Sequence, residues 1–115
     1  MPVARLLVAL RIPLAQSLND RRQVVRSLKD RLRRSFNVSV AELDETILWQ
    51  SATLGIAAIS GSRDYLRGEI MLLEQTITRM ADELGAEITD SWWEFLESDD
   101  NADGLERDPA TRTDS

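Results

Sequence analysis

The sequence predicts an α+β fold in which two helices cover one face of a four-stranded antiparallel sheet. Three observations carry this expectation. Residues 3–12 alternate apolar and outward positions with a period of two, segments 17–36 and 62–84 repeat apolar residues at helical spacing, and the elements follow in the order strand, helix, strand, strand, helix, strand. That order is the split βαβ pattern known as ferredoxin-like, with sheet order 4-1-3-2. Residues 1–96 make one such domain, and residues 97–115 are expected to be an acidic, disordered C-terminal tail.

In the first strand, Val3 to Ile12, the residues Ala4, Leu6, Val8, Leu10 and Ile12 face the helices. Arg5, Leu7, Ala9 and Arg11 face the other way, and Pro13, which lacks an N–H for the ladder, ends the strand. The first helix opens at Ser17 with Asp20 three residues on, a capping-box-like start. Its buried stripe is read as Leu18, Val25, Leu28 and Leu32, with Val24 at the margin.

Asn37 to Asp44 reads as a second strand with Val38, Val40 and Glu42 on the helix side and Ser39, Ala41 and Leu43 opposite. After a turn at residues 44–46, Leu48 to Ile59 reads as a third strand, with Leu48, Ala52, Leu54, Ile56 and Ala58 inward and Trp49, Ser51, Thr53 and Gly55 on the open face. The second helix is capped by the Ser60-Gly61-Ser62 loop, carries the apolar stripe from Leu66 to Leu84, and stops at Gly85. Ala86 to Phe95 is an edge strand of undecided register.

Composition narrows the chemistry. With 115 residues the chain holds a core that buries about two-thirds of its unfolded surface. There is no cysteine and no histidine. Disulfides and thiolate chemistry are therefore excluded, the usual general base and zinc ligand are missing, and a cytoplasmic, non-enzymatic protein without a cofactor is expected. Ser39, Ser51 and Thr53 have no base to activate them, and the acid clusters at Asp44-Glu45 and Asp99-Asp100 lack metal-loop spacing and read as solvated. The arginines within residues 1–13 argue against a signal peptide, and no apolar run reaches membrane-spanning length.

Net charge is −6, but it is segregated. Residues 1–40 hold nine Arg or Lys against Asp20 and Asp30, whereas every later segment is net acidic. At about 100° per residue, Arg22, Arg26, Lys29 and Arg33 fall within about 60° on the outward side of the first helix. This stripe is read either as a solvated face, as a docking surface for the acidic tail, or as a contact for RNA phosphates. Arg21 shares the azimuth of the buried leucines; it either pairs with the inward Glu42 or snorkels to water.

On the open face, Leu7, Ala9, Ala41 and Leu43 make a modest apolar patch with Trp49 at one end, the kind of surface used in subunit contacts. Trp49 either packs there or stacks on a base, and Trp92 and Trp93 either close the core or anchor an interface.

The segments LRIP at 10–13, SLNDRR at 17–22, SFNVSVAEL at 35–43 and LWQSATLGIA at 48–57 resemble the YlxP-like family of small bacterial proteins, domain of unknown function 503, over about residues 3–94. The resemblance implies a ferredoxin-like fold. It also implies a role around the ribosome, because genes of the family often neighbour those for a translation initiation factor and a ribosome-binding factor. No catalytic residue can be carried over. The chain departs from the family pattern at Gln16, where histidine is common, and at Asn19 and Arg21, where lysines are common. Two functional classes follow: an RNA- or ribosome-associated factor acting through the basic helix, or a structural or protein-interaction module, homodimeric through the open sheet face. Neither implies a membrane or a small-molecule substrate.

Overall fold

The computed structural model describes residues 1–96, so the expectation of a disordered tail at 97–115 lies outside the described residues. The elements are β1 (Val3–Arg11), α1 (Leu18–Ser35), β2 (Ser39–Glu42), β3 (Ser51–Ile59), α2 (Arg63–Glu83) and β4 (Glu87–Phe95). The sheet runs β2-β3-β1-β4 with every neighbouring pair antiparallel, which is the expected order read from its other edge. Among the described residues no helix is long and apolar enough to cross a membrane.

The core lies between the sheet and the two helices because period-two and period-3.6 apolar sets meet there. Ala4, Leu6, Val8 and Leu10 of β1 and Ala52, Leu54, Ile56 and Ala58 of β3 are all buried. Opposite them, α1 buries Val25, Leu28 and Leu32, and α2 buries Leu66, Ile70, Leu73 and Ile77. Both central strands are therefore closed on one side, and a one-residue slip would turn each apolar set to water.

The termini of the helices are satisfied locally. Ser17 Oγ accepts the Asp20 N–H at 3.1 Å, and Asp20 Oδ2 accepts the Gln16 N–H at 3.0 Å. Ser62 caps α2 in the same way through the Tyr65 N–H at 3.2 Å. At the far end of α2, Gly85 adopts φ +80°, which lets Ala86 N–H return to the Ala81 carbonyl at 2.8 Å and turns the chain into β4.

The edge strand β4 pairs with β1 through a bulge at Thr89: Ala9 faces Asp90, but Leu10 faces Ile88. The bulge puts Ile88, Ser91, Trp93 and Phe95 on the helix side. Trp93 packs edge-on against Phe95, ring centroids 5.2 Å apart, and joins the core margin. Trp92 points to the open face, where the Arg5 guanidinium lies 5.4 Å from its ring.

Three sequence expectations are corrected. Leu18 is exposed, because it is the first residue of α1 and sits about 50° from the centre of the buried stripe, whose fourth member is Arg21. Leu48 is exposed, and β3 begins only at Ser51. The cause is a tight reversal: Leu48 bridges Ser51 around Trp49 and Gln50. The Gln50 amide then donates to the Pro13 carbonyl at 3.0 Å and the Ala15 carbonyl at 3.3 Å, which anchors the reversal to the β1–α1 connection.

Leu28→Ala should cost about 2–5 kcal/mol in urea unfolding, since the site is closed on all sides. Ser17→Ala should cost about 1 kcal/mol through loss of the cap. Leu18→Ala should stay within about 0.5 kcal/mol; a core-sized loss there would contradict its placement at the surface.

Candidate nucleic-acid interface

With Arg21, Val25, Leu28 and Leu32 turned inward, helix geometry sends Arg22 about 90° and Arg26 about 130° away from the centre of the buried stripe, onto an outward flank of α1 where both are exposed. Neither has an ion-pair partner among the described residues. Lys29 and Arg33, the other two members of the expected stripe, are engaged differently. Lys29 lies nearest the buried sector, has a mostly covered side chain, and brings its Nζ to 3.9 Å from Glu42 Oε1. Arg33 donates from Nη2 to the Val40 carbonyl at 2.8 Å and has its Nη1 3.9 Å from Asp30 Oδ1.

The four cations do share one side of the helix, but they are not equivalent. Arg22 and Arg26 are unneutralised. Arg33 is steadied chiefly by a neutral carbonyl, which fixes its direction while leaving its charge in place. Lys29 is drawn toward a carboxylate. Asp30 approaches Arg33 at i,i+3, a loose and exposed contact.

Beneath the stripe, Arg21 is 4% exposed and engaged through all three guanidinium nitrogens. Its Nη1 meets Glu42 Oε2 at 2.8 Å, its Nη2 meets Asp44 Oδ2 at 3.0 Å, and its Nε donates to the Ser51 carbonyl at 2.9 Å. Asp44 Oδ2 also accepts the Thr53 N–H at 2.9 Å. Asp44 is thus no solvated turn residue, which corrects the reading of Asp44-Glu45 as a free acid cluster. A signal for it was present: a guanidinium has five donors in a fixed fork, and one carboxylate cannot satisfy them in a buried site.

The remaining residues singled out from sequence lie on the uncovered side of the sheet or at its end. Leu7 stands between Gly55 of β3 and Trp92 of β4. Leu43 follows β2 and folds over Gly55, where an added Cβ would come within 2.9 Å of Leu43 Cδ1. Trp49 is not on a strand; it occupies the tip of the reversal, 54% exposed, and lines an open hollow of about 530 Å³ with Arg11, Ile47, Leu48, Gln50 and Ser51. No group of three or more metal-binding side chains occurs among the described residues.

The Arg21 cluster makes a ranked prediction. Asp44→Asn should destabilise by about 2 kcal/mol, because Asp44 is the more buried carboxylate and also holds Thr53. Glu42→Gln should cost about 1 kcal/mol, its carboxylate being partly open to water. Urea unfolding of the two variants checks the order, and an inverted order would contradict the geometry described.

Comparison with known proteins places this architecture. A family model described as a protein of unknown function (DUF503) matches residues 3–92. The uncharacterized protein YlxP of Bacillus subtilis (strain 168) is 35% identical over 75 residues, spanning 56% of this chain and 82% of that protein. Among solved structures, a de novo designed protein with a ferredoxin fold, LFR1 1, determined by solution NMR, superposes with a TM-score of 0.51 at 18% identity, over 92% of this chain and 95% of the design. That likeness bears on the fold alone. The family match runs from the start of β1 into β4 and so takes in the basic helix, the Arg21 cluster and the sheet, and the chain belongs to the DUF503, YlxP-like family.

Proposed function

We propose that this protein is a non-enzymatic, cytoplasmic factor that meets the phosphate backbone of RNA, as part of a ribosomal subunit or as free structured RNA, with the outward face of α1. The observation that carries the reading is the pair Arg22 and Arg26. They are exposed one turn apart, have no acidic partner among the described residues, and sit in an N-terminal segment of net charge +7 within a chain of −6. A helix face that is only solvated normally intersperses acids at i+3 and i+4. Here the one acid at such a spacing, Asp30 four residues after Arg26, approaches Arg33 instead, and loosely.

Arg33 strengthens the surface. A guanidinium held by the Val40 carbonyl keeps its full charge and loses less side-chain freedom on meeting a phosphate. Lys29, drawn to Glu42, contributes least. The site is one of charge, not of base recognition: α1 carries no aromatic side chain between Leu18 and Ser35, so sequence preference should be slight. This reading agrees with the ribosome-associated role that the family resemblance implies.

With three effective cations, log affinity should fall with log salt at a slope of about −2 to −3, a loss of about 15- to 60-fold between 50 and 200 mM salt. Changing Arg22, Arg26 and Arg33 to Gln together leaves the apolar stripe intact and should reduce both affinity and slope toward nonspecific levels. Co-sedimentation with ribosomal subunits, and binding to a labelled structured RNA at several salt concentrations, measure this. Undiminished, equally salt-sensitive binding by the triple variant would show that α1 presents an ordinary solvated face.

A further inference from the structure

We infer that the uncovered face of the sheet is a self-association surface whose occupant is a second copy of this chain, packed sheet against sheet about a two-fold axis. Both helices lie on the other side of the sheet, so the outward residues of β1, β2, β3 and β4 have no cover within the described residues. The centre of that face is apolar. Leu7, Ala41, Gly55 and Trp92 fall in one row across the four strands, with Ala57 and Leu43 on either side. Leu43 lies flat over Gly55, a close approach that needs a residue without Cβ, and the same side of the sheet opens a hollow of about 350 Å³ floored by Leu7, Ala41, Gly55 and Ala57. At one end the apolar surface continues into Ile47, Leu48 and Trp49, which share their hollow with the outward-facing Arg11 and Ser51.

Charge and area select the occupant. The two arginines of this face are already neutralised across strands, Arg5 by Glu94 and Arg11 by Glu87, and Asp90 adds a further carboxylate. A phosphate backbone therefore finds no free cation here. A second copy does not meet a like-charged field, because the paired charges sit beside an apolar centre and not in a block of one sign. The segment 97–115 is chemically unsuited to cover the face: it holds one leucine and two alanines against seven acids. Strands of nine, nine, nine and four residues, at about 3.3 Å per residue and about 4.8 Å per strand, project to about 500 Å² per copy, so a face-to-face pair buries about 1,000 Å². That lies above crystal-packing contacts and at the weak, transient end of biological interfaces, and implies a concentration-dependent dimer, not a permanent one. An isologous contact of this kind places like rows opposite each other, as in aligned sheet packing.

The arrangement does not depend on RNA binding. Pairing through the sheets leaves both copies of α1 on the outer surfaces of the assembly, so the dimer would present two separate basic faces.

Sedimentation equilibrium of the full chain over about 10 µM to about 1 mM tests this. The expected result is an average mass rising from 13.0 kDa toward twice that value. Leu7→Lys and, separately, Ala57→Lys place a charge at the centre and at the flank of the face, and each should weaken association about tenfold or more. Circular dichroism and the urea midpoint identify any variant that has lost its fold, and the partly open position of Leu7 and the exposed position of Ala57 allow the lysine to reach water. A chain ending at residue 96 should associate as the full chain does. A parent that stays at 13.0 kDa throughout overturns the inference in favour of a different partner. A dimer that survives both lysine variants in their folded state, or one that disappears when residues 97–115 are removed, overturns it as well.

Discussion

Arg21 is a guanidinium almost wholly withdrawn from water, and four parts of the chain converge on it. α1 supplies the cation, β2 supplies Glu42, the segment after β2 supplies Asp44, and the first residue of β3 supplies a carbonyl. A buried charge of this kind adds little net stability compared with an apolar replacement, but each partner removed singly leaves another charge uncompensated. Its consequence is therefore positional. It sets the first turns of α1 against the β2–β3 end of the sheet, and the opposite side of the same helix is thereby committed to solvent. Arg22 and Arg26, turned about 100° and about 140° from Arg21 around the helix, are left exposed by the same placement.

The molecule consequently has two uncovered surfaces of opposite character. The outward side of α1 is cationic and polar; the free side of the sheet is apolar at its centre, with its arginines paired across strands. Interactions at one need not disturb the other, because the core and the sheet backbone lie between them. Salt would weaken contacts at the helix far more than contacts at the sheet, where burial of apolar area and not Coulomb attraction supplies the free energy. The two can therefore be separated by ionic strength.

Much of this was legible in the chain. Apolar periods of two and 3.6 located the buried rows of β1, β3, α1 and α2, and the order of elements implied the sheet order. Azimuth alone marked Arg21 as a cation pointing the wrong way, with Glu42 as a partner. What was illegible has a common cause, side chains whose contacts are set by distant backbone. Asp44 lies beyond the end of β2, where alternation no longer assigns a direction. Trp49 was read as part of a strand because nothing local reveals that Gln50 reaches carbonyls 35 and 37 residues away and folds the chain back. Lys29 and Arg33 have the expected Cα positions, yet their long side chains reach Glu42 and Val40 on β2, which helix azimuth cannot express. The bulge at Thr89 set the face of every later residue in β4, and alternation there was too poor to foresee it.

The central claim is that nucleic acid meets this protein on the outward side of α1 and not on its sheet. Titration of isotopically labelled full-length protein with a short structured RNA at low salt, followed by amide and arginine side-chain NMR shifts, tests it residue by residue. The account predicts perturbations concentrated at Arg22, Arg26 and Arg33, reversed by added salt, with the Leu7, Gly55 and Thr53 amides unmoved. Perturbations centred on the open sheet or on Trp49, with the α1 arginines silent, would contradict it.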